Sequence, residues 1–472
     1  MLTSLRICNF KSWADTGEMR LAPITGFFGT NSSGKTSILQ LLLLLKQTAE
    51  STDRAQVLNL GDERSLVSLG TFRDIIHRSP RDDVGTTRDR SSVNWEFSWS
   101  LPGLLEVEDP ETPGEHLFAF ESLSFSAEIT QSRRVTSERP IVAHFAYRPE
   151  DLTSSRDPGA FGMRRRSGAS EQYELVADQF DFKRPRGRPR KLPAPVKCYG
   201  FPDEVFGYFL NSGFLAELQL EFERNFSRTY YLGPLREYPR RQYTWAGGRP
   251  SDMGRRGERV VDALLASREP DLRIKRLGRK RRVTVEEVVA EWLKRLGLIH
   301  SFAVEAVAPG SSLYQVSVQL RPVSARVLIT DVGFGISQIL PVIALCYYVP
   351  EGSTIILEQP EIHLHPSVQA GLADVLIDAM QTRRVQIILE SHSEHLLTRL
   401  QRRIAEEHLP SSDAALYFCD MAEDGTSQLT PLELDVFGNI RNWPQGFFGD
   451  ELGERSAMVR AEMERRMRGD EL

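Results

Sequence analysis

Apolar residues recur at alternating positions near the start of the chain (Leu2, Leu5, Ile7, then Leu21, Ile24, Phe27), either side of a turn-like Ala14 to Gly17. This pattern predicts two paired strands, the second ending at Gly29. From Lys35 to Leu45 the residues are apolar on almost every face, which predicts a helix buried inside the fold. Between about 80 and 230, short alternating runs (Val93 to Trp99, Phe118 to Ile129, Ile141 to Tyr147) are separated by Pro, Gly, Ser and charge, and read as strands and hairpins. Within them Gly162 to Ala194 is rich in Arg and Pro and reads as an exposed loop. Helical spacing returns at Val205 to Phe222 and Val285 to Leu296. After residue 311, apolar runs (Leu313 to Leu320, Val327 to Ile329, Ile355 to Leu357, Val385 to Leu389) alternate with helical stretches, the order of a parallel α/β sheet. No fixed period repeats and no heptads persist, so no coiled-coil arm is expected.

Composition narrows the class. With 40% hydrophobic and 26% charged residues in 472, a disordered or fibrous chain is excluded. The balance of 59 basic against 64 acidic side chains gives a charge of −5, so any nucleic-acid binding must use local patches. Cys8, Cys198, Cys346 and Cys419 lie far apart without a CxxC pair, which excludes a zinc knuckle and a disulfide framework and fits reduced thiols in the cytoplasm. The longest apolar runs fall short of the roughly 18 residues that span a bilayer, and no signal-peptide pattern opens the chain, so no membrane partner is expected.

The chemistry concentrates in a few segments. Gly29-Thr30-Asn31-Ser32-Ser33-Gly34-Lys35-Thr36 matches the phosphate-loop pattern G-x-x-x-x-G-K-[ST] at the junction of a strand and a helix, with Ser37 following. Backbone N–H groups and the helix N-terminus there cradle phosphates, Lys35 reaches the β- and γ-phosphates of ATP, and Thr36 holds Mg²⁺. About 320 residues later Thr354 to Leu357 is an apolar strand ending in Glu358, a magnesium-side carboxylate. Val385 to Leu389 is another, ending in Glu390-Ser391-His392, which brings His392 to the same sheet edge as a γ-phosphate contact. Asp331-Val332-Gly333-Phe334-Gly335-Ile336-Ser337-Gln338 opens an apolar helix and reads as a second anion-binding turn or as a plain helix cap.

Asn9-Phe10-Lys11-Ser12, the phosphate loop, Gly-Phe-Gly-Ile-Ser-Gln, Ile-Leu-Glu-Gln-Pro-Glu-Ile-His-Leu-His-Pro and Glu-Ser-His-Ser-Glu-His, in that order, resemble the ABC-type ATPase heads of the RecF, SMC and OLD lineage. More narrowly the chain resembles stand-alone bacterial AAA-type ATPases with a short C-terminal domain of unknown function, on Tyr231 to Arg236 and the tail Phe437 to Trp443. The resemblance implies a P-loop ABC-type head with a mixed sheet, a parallel core and an antiparallel β-lobe, split as residues 1–80 and 301–430. A β-rich and helical insertion would occupy 81–300, including the basic loop 162–194, and a small segment would close the chain at 431–472. It also implies a head-to-tail homodimer, or a higher even oligomer, in which Gly335 and Ser337 of one subunit cover the γ-phosphate held by Lys35 of the other. Glu358 takes the Mg²⁺ position, His392 the switch-histidine position, and His363 and His365 lie at the dimer seam.

One departure matters. The residue after the Mg²⁺ carboxylate, usually a Glu that polarises the attacking water, is Gln359. An amide orients water but does not accept its proton at neutral pH, so slow turnover is expected, with Glu361 or Glu390 open as the base. Arg186, Arg188, Arg190 and Lys191 surround an R-G-R-P core of the kind that threads an A·T-rich minor groove, and read either as a duplex-DNA contact or as a solvated loop. Arg273 to Arg282 either lines a DNA-facing surface or pairs with the acidic helix near Glu286. Arg236, Glu237, Arg240, Arg241 and Arg249 either reach the nucleotide or form surface ion pairs. The expected function is an ATP-switched dimer acting with a separate effector in anti-phage defence or DNA maintenance. The competing class is a DNA-binding or scaffold module in which ATP is structural.

Overall fold

The computed structural model describes residues 1–78, 92–108, 116–131, 139–152, 157, 159–166, 172–185, 191–276, 281–444, 458, 460, 461 and 463. A six-stranded sheet forms its centre, in the order Thr229–Leu232, Thr354–Glu358, Gln386–Glu390, Ile24–Gly29, Ala414–Met421, Ser427–Pro431. The first five strands run parallel and the last is antiparallel. Alternation along the strands sets the two faces. Ile355, Leu357, Ile387 and Leu389 point into a core built with the helices Phe334–Tyr348, Pro366–Arg383 and Glu394–Ala405. Phe27, Ile356 and Ile388 point the other way, against the helix Lys35–Glu50 and the β-lobe.

That lobe is an eight-stranded antiparallel sheet, in which Leu2–Phe10 pairs with Ser92–Glu108, followed by His116–Gln131, Pro140–Leu152, Phe161–Arg165 and Tyr173–Ala177. A four-stranded antiparallel sheet around Ser301–Ala306 and Leu313–Gln319 flanks the helices. Among the described residues no helix is long and apolar enough to cross a membrane.

Three expectations change. Ile24–Gly29 does not pair with Leu2–Phe10, because all six of its residues are buried and belong to the parallel layer, whereas the first strand alternates and pairs with Trp13–Asp15 and Met19–Arg20. Gly162 to Ala194 is not one loop: Phe161–Arg165 and Tyr173–Ala177 pair there, and Gly162 lets the Phe145 backbone approach where a Cβ would lie 1.9 Å from its carbonyl oxygen. The helical stretch Val205 to Phe222 is broken into Asp203–Tyr208 and Leu215–Ser227, since the Ser212 hydroxyl caps the carbonyls of Val205 and Phe209 between them. Ser92–Glu108 extends the sheet of the first strand, and Thr229–Leu232 forms the edge of the central sheet.

Candidate functional site

Parallel register brings the chemistry together. Glu358 pairs with Glu390 and Glu390 with Phe27, so two carboxylates and the start of the phosphate loop sit at the C-terminal ends of adjacent strands. Ligands of open α/β sheets bind at this edge. The loop has the backbone it needs: Ser32, Gly34 and Gly29 have φ of 61°, 88° and 138°. At Gly34 a Cβ would lie 2.4 Å from Ser427 Oγ and 2.7 Å from Ser12 Oγ, and at Gly29 1.9 Å from Cys419 O. The Asn9 to Ser12 segment packs under the loop, where Trp13 Nε1 donates to Gly34 O at 3.0 Å.

Lys35 is 3% exposed, and its ammonium donates to Thr30 O (2.5 Å), Gly29 O (3.2 Å) and Ser33 Oγ (3.3 Å). Burial lowers its pKa, opposed by the negative field of Glu390. Ser33 is buried and Asn31 and Ser32 are exposed at the loop tip. The helix Lys35–Glu50 has no acidic residue in its first turn, so its N-terminal amides face the loop without a competing anion, and Ser37 lies within that turn.

Thr36 meets a carboxylate that the sequence reading did not assign to it: Thr36 Oγ1 donates to Glu390 Oε2 at 2.7 Å. Glu358 instead accepts from the Tyr231 hydroxyl at 2.6 Å. Gln359 holds a left-handed φ of 44° and bonds through its backbone N–H to Glu390 O at 2.9 Å. Glu361, 6% exposed, accepts from His392 N at 2.7 Å through Oε1, and its Oε2 is buried without a partner. Burial raises the pKa of Glu358, Glu361 and Glu390 above 4.5. Burial and the Lys35 charge lower that of His392 below 6.5, against a contact with the Gly29 backbone that raises it.

These side chains fit the group implied by the loop. The Lys35 ammonium is bonded to oxygens of the loop itself, an environment that phosphoryl oxygens would also suit, and Thr36, Glu390 and Glu358 are all hard oxygen donors, the set Mg²⁺ takes alongside substrate phosphates. Among the described residues no three His, Cys, Asp or Glu side chains gather into a self-sufficient metal cage.

Gly335 and Ser337 lie in the first turn of the helix Phe334–Tyr348. Ser337 Oγ donates to Phe334 O at 2.7 Å, and the Gly335 Cα faces His363 O. Phe334 packs on the His363 and Tyr238 rings, and His365 caps the helix Pro366–Arg383. Arg186, Arg188 and Arg190 lie outside the described residues, and Lys191 is exposed. The second basic run pairs with the acidic helix Val285–Arg295, through Arg276 to Glu291 at 2.8 Å and Arg281 to Glu287 at 2.5 Å. Arg240, Arg241 and Arg249 form exposed ion pairs with Glu237, Asp331 and Glu269. Sequence reasoning missed Tyr231 and the Thr36 to Glu390 bond. The signal for the second was present, since Glu390 ends its apolar strand as Glu358 does.

Fold and site define a P-loop ATPase, α/β in class with a mixed central sheet. The chain belongs to the family described as "AAA domain, putative AbiEii toxin, Type IV TA system", which matches residues 24–398. A second family, described as a protein of unknown function (DUF3696), matches residues 409–456. No curated protein matches the chain. Among solved structures it is similar to the SMC head domain from Thermotoga maritima, at 12% identity and a TM-score of 0.42 over 92% of this chain and 99% of that one. It is also similar to an Smc head domain derived with its partner from Pyrococcus furiosus, described as bound to the C-terminal domain of ScpA, at 10% identity and a TM-score of 0.42 over 98% and 99%.

Proposed function

We propose that the chain is a Mg²⁺-dependent ATPase that forms an ATP-sandwiched head-to-tail dimer and turns over slowly. The meeting of Lys35, Thr36, Glu390 and Glu358 at one sheet edge carries the reading. Lys35 and the loop amides bind the triphosphate, and Thr36 with Glu390 and Glu358 would hold Mg²⁺, which when bound neutralises charge on the phosphoryl oxygens. Gln359 orients the attacking water and Glu361 Oε2 takes its proton. His392 contacts the γ-phosphate as a neutral imidazole. The dimer finds support in exposed apolar side chains beside the Gly335 and Ser337 turn: Leu235, Tyr238 and Phe334 are 64%, 73% and 39% exposed.

Turnover below about 1 s⁻¹ is expected, under the ~10 s⁻¹ typical of enzymes, and Gln359→Glu raises it about tenfold by adding a second base. A wild type already running at tens per second contradicts the slow switch. Sedimentation velocity tests the dimer: Mg²⁺ and ATP convert wild type from monomer to dimer, and Ser337→Arg prevents this. Assembly insensitive to ATP contradicts the dimer switch, and ATP-locked assembly with no turnover in any variant favours a scaffold. Action with a separate effector, in anti-phage defence or DNA maintenance, and duplex binding through Arg186 and Arg188 remain part of the proposal; DNA-stimulated turnover supports the latter.

A further inference from the structure

Arg236 is 6% exposed, and its Nε, Nη1 and Nη2 all lack a hydrogen-bond partner. Among the described residues it is the one arginine whose three side-chain nitrogens are all buried and unbonded. Arg383, which also has a buried unbonded Nε, still donates to Glu351 and to Val349 O. A buried guanidinium with no acceptors opposes folding, so its retention points to acceptors that arrive later.

Its position says which. Arg236 follows the edge strand Thr229–Leu232 across the turn Gly233-Pro234-Leu235, and that strand lies parallel to Thr354–Glu358. The carboxylates acting on it are Glu358 and Glu361. Burial lowers its pKa to about 10, so it stays a cation at neutral pH. Glu358, whose Oε2 accepts from the Tyr231 hydroxyl at 2.6 Å, does not accept from it. Glu361 Oε2 is the other buried orphan nearby. A cation with no acceptor and a carboxylate whose second oxygen is unbonded, each following a strand of the sheet whose C-terminal edge also carries the phosphate loop, suit a phosphoryl oxygen on one side and a proton-bearing water on the other.

We propose that Arg236 recognises the terminal phosphate of ATP, donating hydrogen bonds to γ-phosphoryl oxygens and so separating triphosphate from diphosphate. The inference rests on the ATPase reading above. Loss of that phosphate returns Arg236 to its unsatisfied state, which disfavours the closed, product-bound form.

The test is the affinity of the full chain, with Mg²⁺, for a non-hydrolysable ATP analogue and for ADP. Arg236→Met is expected to weaken the triphosphate analogue by roughly 10- to 150-fold, the loss of charge-assisted hydrogen bonds, while ADP binding stays unchanged. Arg236→Lys keeps the charge but not the planar fork and falls between. Equal losses for both nucleotides, or no loss for either, overturn the inference while the ATPase reading stands. A wild type that binds neither nucleotide overturns both. Should Arg236→Met show no cooperative melt, Arg236→Lys carries the same comparison, and an unchanged triphosphate to diphosphate ratio in it overturns the proposal.

Discussion

Glu361→Gln lowers kcat for ATP hydrolysis by roughly 10²- to 10⁴-fold, the range for loss of a general base, and leaves ATP bound. Three features of the residue underlie this expectation. Its Oε1 is fixed by the His392 backbone N–H at 2.7 Å, which sets the carboxylate plane. Its Oε2 is buried and free to accept. Burial raises its pKa above the ordinary carboxylate range, which strengthens it as a base. The residue usually assigned this work is an amide here, Gln359, held by its backbone to Glu390. The sign of the pH dependence follows: the base works deprotonated, so kcat is full above the raised pKa and falls as pH drops through it. The acid limb therefore lies above that of an ordinary carboxylate and disappears in Glu361→Gln. Single-turnover measurement on the variant separates a lost chemical step from lost binding; full activity in Glu361→Gln would return the base role to Glu390.

Lys35→Ala is expected to weaken Mg²⁺-ATP by on the order of 10²- to 10³-fold, as when one member of a buried charge pair is removed. The ammonium faces Glu390 and Glu361 at the loop and donates to oxygens of Gly29, Thr30 and Ser33. Without it an incoming triphosphate meets buried carboxylates that repel it. Equilibrium dialysis with labelled ATP measures the loss, and circular dichroism melting establishes that the variant folds. Retention of wild-type affinity by a folded Lys35→Ala contradicts the phosphate-loop assignment.

Much of this site was legible in linear order because its parts obey local rules. The phosphate loop must fall between a strand and a helix, and Gly29 and Gly34 occupy positions where both φ and a neighbouring backbone or hydroxyl exclude a side chain. Apolar strands ending in Glu358 and Glu390 announce themselves by their runs of Ile and Leu and by the polar terminus. Register was not legible. Which carboxylate meets Thr36 depends on the order of strands in the sheet, with Gln386–Glu390 between Ile24–Gly29 and Thr354–Glu358. The four-residue strand Thr229–Leu232 is too short for periodicity to reveal, so Tyr231 could be placed at the site only by folding, and for Arg236 the sequence left a nucleotide contact and a surface ion pair both open. The pairing of Leu2–Phe10 with Ser92–Glu108 was hidden for a related reason: strands separated by a long intervening stretch of sequence pair by burial of a shared face, which no local pattern records.

The account depends on one pocket being shared by the loop and the distant strand ends. A crystal structure of the chain with Mn²⁺ in place of Mg²⁺ and a non-hydrolysable ATP analogue measures this, because anomalous scattering locates the cation. The account predicts the cation on Thr36 Oγ1 with Glu390 and Glu358 around it, and the β- and γ-phosphates against Lys35. A nucleotide bound away from Lys35, or a cation seated apart from all three oxygen donors, would contradict it.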